Sequence, residues 1–244
     1  MRTTRVHVDL PLARGAHVAL PEDAANHLVR VLRMREGDAC VLFNGDGHDY
    51  PATLTVANKR GVEADVGAPV TVDNESPLRI ALVQGIARGE KMDWILQKAT
   101  ELGVASVHPV HSDRSEVKLE GERAAKRLAH WQSVVVSGCE QSGRARVPAV
   151  SAAQALDALL TGALPSTHRF LLDPEARDSI ATMAPLQSDC VLAVGPEGGW
   201  SARDRQALHA AGFVGLRLGP RILRTETAGI AAIAALQSRF GDLG

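Results

Sequence analysis

The chain has 244 residues, 45% apolar and 3% aromatic, with 27 Lys and Arg against 28 Asp and Glu and a net charge of −1. That composition excludes a disordered chain and supplies enough apolar surface for a real core. Near-neutrality excludes nucleic-acid binding through a bulk positive field, though not through local basic strips.

The longest apolar stretch, AGIAAIAAL (228–236), is too short to span a bilayer. Residues 1–15 show no apolar run behind their charges, which argues against a secretory signal. The expectation is a cytoplasmic protein without a membrane. Cys40, Cys139 and Cys190 are scattered and form no CxxC pair. They read as buried thiols rather than a disulfide framework or a zinc site.

In chain order, VHVDL (6–10) and HVALP (17–21) have strand length and apolar character. PEDAANHLVRVLRMREG (21–37) reads as a helix, with Pro21 in the first turn, Glu22 and Asp23 at its positive end and Gly37 as its stop. Asn44-Gly45 and Asp46-Gly47, between ACVLF (39–43) and PATLTV (51–56), are strong hairpin signals, and ANKRG (57–61) turns the chain again into VEADV (62–66). A small β-barrel with one helix is the natural closed form for these strands.

Near Asn74-Glu75-Ser76-Pro77 the rhythm changes, which predicts domains over 1–72 and 73–244. LRIALVQGI (78–86) is a buried-type strand, GEKMDWILQKATELG (89–103) a helix and VASVHPV (104–110) a strand. The long helix GERAAKRLAHWQSVVVSGCEQ (121–141) precedes the strands RFLLD (169–173) and CVLAVGP (190–196). SARDRQALHAAG (201–212) is a helix, VGLRLGP (214–220) a strand and RTETAGIAAIAALQSRF (224–240) the closing helix. Such alternation predicts an α/β domain, a mostly parallel sheet with helices on both faces.

Ligands of open parallel sheets bind beyond the carboxyl ends of the strands. Two loops there are rich in Gly and Pro. In VLAVGPEGGWSARD (191–204) the strand ends at Gly195-Pro196, Gly198 and Gly199 permit close backbone approach, and Ser201 with Asp204 makes a capping box. The pattern is neither a P-loop nor a dinucleotide fingerprint, and a simple strand–helix turn would also explain it. In RLGPRILRTETAG (217–229), Gly219-Pro220 ends a strand, and Thr225 or Thr227 is placed to cap the last helix with Glu226 at its positive end. Arg224 is the oddity, since a cation there opposes the helix dipole and calls for an anion.

Other candidates are basic: Arg114 and Lys118 in HPVHSDRSEVK (108–118), then Gln141, Arg144 and Arg146 in CEQSGRARVP (139–148). Arg30, Arg33 and Arg35, with His27, follow helical spacing closely enough to form one strip. Each strip suits either solvent or RNA phosphates. The nine histidines are scattered, His108 and His111 lack ligand partners at metal spacing, and no GxSxG occurs.

GPEGGWS (195–201), LGPRILRTETA (218–228), QKATELGV (97–104), RSEVK (114–118), CEQSGR (139–144) and HLVRVLRMREGD (27–38) together resemble the RsmE family, small-subunit ribosomal RNA (uracil-N3) methyltransferases of the SPOUT class. The resemblance covers essentially the whole chain. It implies a PUA-like β-barrel before an α/β domain threaded through a deep trefoil knot, which periodicity would not suggest. It further implies a homodimer, S-adenosylmethionine as cofactor, no metal, and a uridine near the 3′ end of 16S rRNA, or of the small ribosomal subunit, as acceptor. The matching cofactor site is Leu172, Val194, Gly195, Gly199, Leu218, Gly219, Ile222, Leu223, Arg224 and Thr225. The catalytic candidates carried by the motifs are Glu197, Arg224, Arg114 and Arg144, without individual roles. Arg30, Arg33, Arg35, Arg114, Gln141 and Arg144 are the RNA-binding candidates. The rival readings are a SPOUT methyltransferase for another RNA nucleotide and a non-catalytic ribosome-biogenesis factor; a Gly/Pro cofactor pocket argues against the second.

Overall fold

Hairpin chemistry organises the first part of the chain. The computed structural model describes residues 4–58, 60–117, 119–186 and 189–244. Its contacts form two units, Met1–Glu75 with Cys139–Val147, and Ser76–Gly138 with Pro148–Gly244.

The first unit contains β1 (Arg5–His7), β2 (His17–Ala19), α1 (Glu22–Asn26), β3 (Ala39–Phe43), β4 (His48–Asn58), β5 (Gly61–Val66) and β6 (Val70–Thr71). β3, β4 and β5 are joined as antiparallel hairpins, and the order is β1-β3-β4-β5-β2 with β6 on β4. Gly45 and Gly47 turn the first hairpin at φ +90° and +96°, where only glycine is unstrained. Alternate residues of β4 and β5, among them Leu54 and Ala64, join Leu28 and Leu42 in the core.

Two expectations need correction here. The helix foreseen over 21–37 stops early: α1 has five residues, a wide π-type turn covers His27–Val31, and Arg33 takes φ +57°. Apolar residues at 28, 29, 31, 32 and 34 cannot share one helical face at a period of about 3.6. The wide turn buries Leu28 and leaves Val31 and Leu32 exposed. Arg30, Arg33 and Arg35 are all exposed, but on a turn and the chain after it rather than along one helix.

The second correction concerns CEQSGRARV. Residues 139–147 pack with the first unit, where Arg5, His7 and Glu75 each bond to them. Arg5 donates from Nε and Nη2 to the Asp49 carboxylate, at 3.1 and 2.6 Å, and from Nη1 to the Cys139 carbonyl at 2.8 Å. Arg144, buried, is held by Glu75 at 2.9 and 2.5 Å. His7 N–H donates to Glu140 at 3.1 Å.

The second unit runs β7 (Ile80–Gly85), α2 (Glu90–Glu101), β8 (Val104–His111), α3 (Gly121–Ser142, its last turn in the first unit), β9 (Ala149–Val150), β10 (Gln154–Ala155) and α4 (Leu156–Thr161). β11 (His168–Leu172), β12 (Cys190–Val194), α5 (Ala202–Ala210), β13 (Val214–Leu216) and α6 (Thr225–Phe240) complete it. Every strand pair described in its sheet is parallel, in the order β10-β8-β7-β12-β11-β13, with β9 also on β8. β7 and β12 are buried throughout, as central parallel strands must be when both faces are covered. Strand alternation assigns the faces. Ala81, Val83, Val191 and Ala193 pack with Leu156, Leu159 and Leu208 of α4 and α5. Gln84 and Val194 point the other way, toward Gly229 of α6.

The short β9, β10 and α4 have no counterpart in the sequence reading, and the strand foreseen over 214–220 ends at Leu216. All three cysteines are free and buried, and burial pushes the thiols of Cys40 and Cys139 up to about 11 and that of Cys190 up to about 12.

Candidate functional site

The loop after β12 is built by its glycines. Gly199 takes φ +66° and its N–H donates to the Pro196 carbonyl at 2.8 Å, closing a tight turn over Glu197 and Gly198. A Cβ on Gly195 would lie 3.0 Å from the Gly199 carbonyl carbon, so any larger residue there would push the turn outward. Ser201 and Asp204 then exchange hydrogen bonds, side chain to backbone in both directions at 3.0 Å, to start α5 as a capping box. Two neighbours brace the turn. Arg114 donates to the Gly198 carbonyl at 2.7 Å, and the Glu197 carboxylate accepts from Arg88 N–H and Lys91 Nζ, both at 3.1 Å. Partial burial would raise the Glu197 pKa, but these donors outweigh it and hold the carboxyl below its ordinary value. Glu197 is therefore a fixed anion at neutral pH and a weak base.

The loop after β13 contains Gly219 at φ +68° and leads to α6. Its cap differs from the expectation. Neither Thr225 nor Thr227 caps the helix; Arg224 occupies the N-cap position and makes no capping bond. The buried Thr225 instead spends its hydroxyl on the neighbouring loop, donating to the Gly195 carbonyl at 2.6 Å.

Between the two loops, at the carboxyl ends of β11, β12 and β13, lies a cavity of about 420 Å³. Leu172, Val194, Gly195, Gly199, Leu218, Gly219, Ile222, Leu223 and Thr225 line it, as do Glu197 and Arg114. Ile222 is 85% exposed, an apolar wall that nothing in the described chain covers. Arg224 is absent from the lining; it is exposed, and among the described residues its side chain has no carboxylate partner. Sequence reasoning missed Asp173, Glu175, Arg205, Arg217 and Arg221, which also line the cavity. The first two follow β11 and could have been sought at that strand end. Arg205 pairs with both, at 3.7 and 3.4 Å, whereas Arg217 and Arg221 are exposed and have no carboxylate partner among the described residues.

Arg144 is absent from the residues that line this cavity; it belongs to the first unit, where it is buried and bound to Glu75. Gln141, also in the first unit, is exposed on the last turn of α3. Lys118 lies outside the described residues.

An RNA methyltransferase domain family matches residues 74–237, and an RNA methyltransferase PUA domain family matches residues 20–67. Fold and site thus define an RNA methyltransferase, a parallel sheet with a cavity at its carboxyl ends, preceded in sequence by a PUA domain. Ribosomal RNA small subunit methyltransferase E of Buchnera aphidicola (from Schizaphis graminum) is 32% identical over 243 residues, which is 99% of this chain and 98% of the relative. The crystal structure of the same enzyme from Neisseria gonorrhoeae, bound to S-adenosyl methionine, is 41% identical with a TM-score of 0.92, and each chain is covered completely. A Legionella pneumophila methyltransferase solved with bound SAM is 36% identical with a TM-score of 0.95, again over the whole of both chains. The chain belongs to the ribosomal RNA small subunit methyltransferase E family.

Proposed function

We propose that this protein transfers the methyl group of S-adenosylmethionine to N3 of a uridine in 16S rRNA, and that the 420 Å³ cavity is where the methyl donor binds. The observation that carries the reading is the cavity itself, formed at the carboxyl ends of parallel strands by two glycine-built loops in a chain of this family. Its residues fit the cofactor. Leu172, Val194, Leu218, Ile222 and Leu223 offer apolar walls to a purine and to the methylenes beside the sulfonium, and the backbone of both loops offers polar groups to an adenine edge and a ribose. Space ahead of Gly199 is open, with no atom within 4 Å of a Cβ built there. When bound, the cofactor supplies an electrophilic methyl group. Glu197, ionised and lining the cavity, sets a fixed negative charge near that cationic group.

Uracil N3 carries a proton and becomes nucleophilic only when that proton is lost, here to solvent water, which places negative charge on the flanking carbonyl oxygens; methyl transfer would then leave S-adenosylhomocysteine as the neutral product. Arg114, Arg217 and Arg221 are cations at the cavity that stabilise this charge and hold the phosphates of the acceptor strand. Arg224 stands beside them at the start of α6 as a further phosphate contact. The base must leave its pair or stack to be reached. Arg30, Arg33 and Arg35, exposed in the PUA domain, grip RNA, with Gln141 as a further contact.

The sheet of the first unit closes as a barrel, and the end of the second is knotted. In support of the knot, residues 178–183 bond both to the residue after β13 and to α6: Arg217 N–H donates to the Asp178 carbonyl at 2.8 Å and Arg239 to the Met183 carbonyl at 2.9 Å. The protein works as a cytoplasmic homodimer. Half-exposed Ile230, Ala231, Ala234 and Ala235 on α6 support a partner there. Mass spectrometry of rRNA nucleosides from a deletion strain, with and without the restored gene, tests the activity. Loss of 3-methyluridine that the gene restores is the expected result. A different missing nucleoside points to another acceptor, and none missing points to a binding factor. Sedimentation of a monomer at micromolar concentration would remove the homodimer.

A further inference from the structure

We propose that Gln84 is a positioning residue of the methyl-donor pocket, acting through Thr225 on the Gly195 carbonyl; the inference rests on the cofactor occupying the cavity described above. β7 is otherwise apolar apart from its terminal glycine, yet Gln84 is fully buried within it. An apolar side chain would satisfy that place without the cost of desolvating an amide. The amide is used at one end only. Its Nε2 donates to the Gly85 carbonyl at 2.8 Å and to Thr225 Oγ1 at 3.1 Å, while Oε1 has no partner. The Gly85 carbonyl can only accept, which fixes the amide with its NH₂ toward Thr225.

A hydroxyl has one proton to give. With an N–H directed at it, the Thr225 oxygen accepts from Gln84 and must send its proton elsewhere, and it goes to the Gly195 carbonyl at 2.6 Å. Gln84, Thr225 and Gly195 thus form a directional chain from a central strand, through the first residue of α6, to the first glycine of the cavity loop. Thr225 and Gly195 line the cavity, and Gln84 does not. Pro196 has no N–H to offer, so the Gly195 carbonyl is the handle by which this peptide can be held. Holding it sets the approach to Glu197, Gly198 and Gly199 and ties together the two loops that face each other across the pocket.

Gln84→Met keeps the length and removes the donors; Thr225→Val keeps the shape and removes the hydroxyl; Thr225→Ser keeps the hydroxyl. Calorimetric titration with S-adenosylmethionine, thermal melting and steady-state methylation of small subunits are read on each. Gln84→Met and Thr225→Val are each expected to weaken cofactor binding about 5–20-fold. The loss should fall in KM for the cofactor, with kcat held within about 2-fold. The double variant should be no worse than the poorer single one, since both break one chain. Thr225→Ser should recover most of what Thr225→Val loses. Wild-type affinity in Gln84→Met, additive losses in the double variant, or equal losses in Thr225→Ser and Thr225→Val would each overturn the inference. If Gln84→Met unfolds, the Thr225 pair carries the same test. Gly199→Val separates the two levels of the argument. If it binds like wild type, the cofactor lies elsewhere and the pocket assignment fails. If it loses binding while Gln84→Met keeps it, only the positioning role fails.

Discussion

Alanine at Gly85 tests whether the cavity loop must lie where it does. Gly85 ends β7, and a Cβ built on it would come 2.4 Å from Pro196 Cδ, 2.6 Å from Pro196 N and 3.0 Å from the Gly195 carbonyl carbon. These are ring and backbone atoms, with no flexible end to swing aside. Carbon contacts are comfortable at about 3.5–4.0 Å, so Pro196 must retreat by roughly 1 Å. Overpacking of this kind costs about 1–3 kcal/mol. At this chain length that lowers Tm by about 2–12 °C. The site should suffer more than the fold, because displacing a positioning group by about 1 Å costs on the order of 100-fold in rate. Gly85→Ala is therefore expected to fold, to melt earlier and to lose about 100-fold in kcat/KM. Calorimetry and methylation of small subunits would measure both effects. Gly61→Ala is the control, since nothing lies within 4 Å of its Cβ. A Gly85→Ala protein with unchanged Tm and unchanged kcat/KM would refute the reasoning.

Gly199→Val puts a β-branched residue at φ +66° with its side chain in the open space of the cavity, and should abolish S-adenosylmethionine binding in calorimetry while the fold survives. Replacing two of Arg30, Arg33 and Arg35 with Ala should flatten the salt dependence of RNA binding by about one unit of slope per lost phosphate contact, with cofactor affinity unchanged; an unaltered slope would make them solvated surface. Arg144→Ala strands the Glu75 carboxylate and should cost roughly 3 kcal/mol, read as a lower denaturation midpoint, without affecting cofactor titration. For Glu197, the folded carboxyl lies below its ordinary value of 4.5, so its stabilisation is present above about that pH and lost as pH falls through the folded value. Glu197→Gln should flatten the decline of Tm between about pH 6 and about pH 3, and an identical decline in both proteins would contradict the ion pair with Lys91.

Much of the second unit was legible because its elements state their own limits. Gly103 ends α2, Ser201 and Asp204 start α5, and β7 and β12 read as unbroken apolar runs. Both cavity loops were visible for the same reason, as Gly/Pro breaks at strand ends. Other features depend on partners far along the chain. Arg144 looked like a free cation in a motif, and only its meeting with Glu75, 69 positions away, shows it as a buried ion pair. Thr225 satisfied the local rule for a helix cap, yet a carbonyl 30 residues upstream competes for its hydroxyl and wins. Gln84 sat inside a strand pattern where one polar residue raises no flag. Asp173 and Glu175 follow a strand whose end held no glycine signal. In the first unit the failure was one of periodicity, since the run from Leu28 to Met34 is too evenly apolar to predict where its helix would stop.

That the first unit recruits Cys139–Val147 has a bearing on synthesis. A chain emerging from the ribosome delivers Arg5, Asp49 and Glu75 early, but Glu140 and Arg144 follow only after most of the first strands and helices of the second unit. At about 5–20 residues per second, the stretch from Glu75 to Val147 takes roughly 4–14 s to make. Throughout that interval Glu75 awaits its guanidinium, and Arg5 lacks the carbonyl of Cys139. A nascent N-terminal segment is therefore an incomplete body that later chain finishes, and a fragment cut at residue 75 would stay at that unfinished stage.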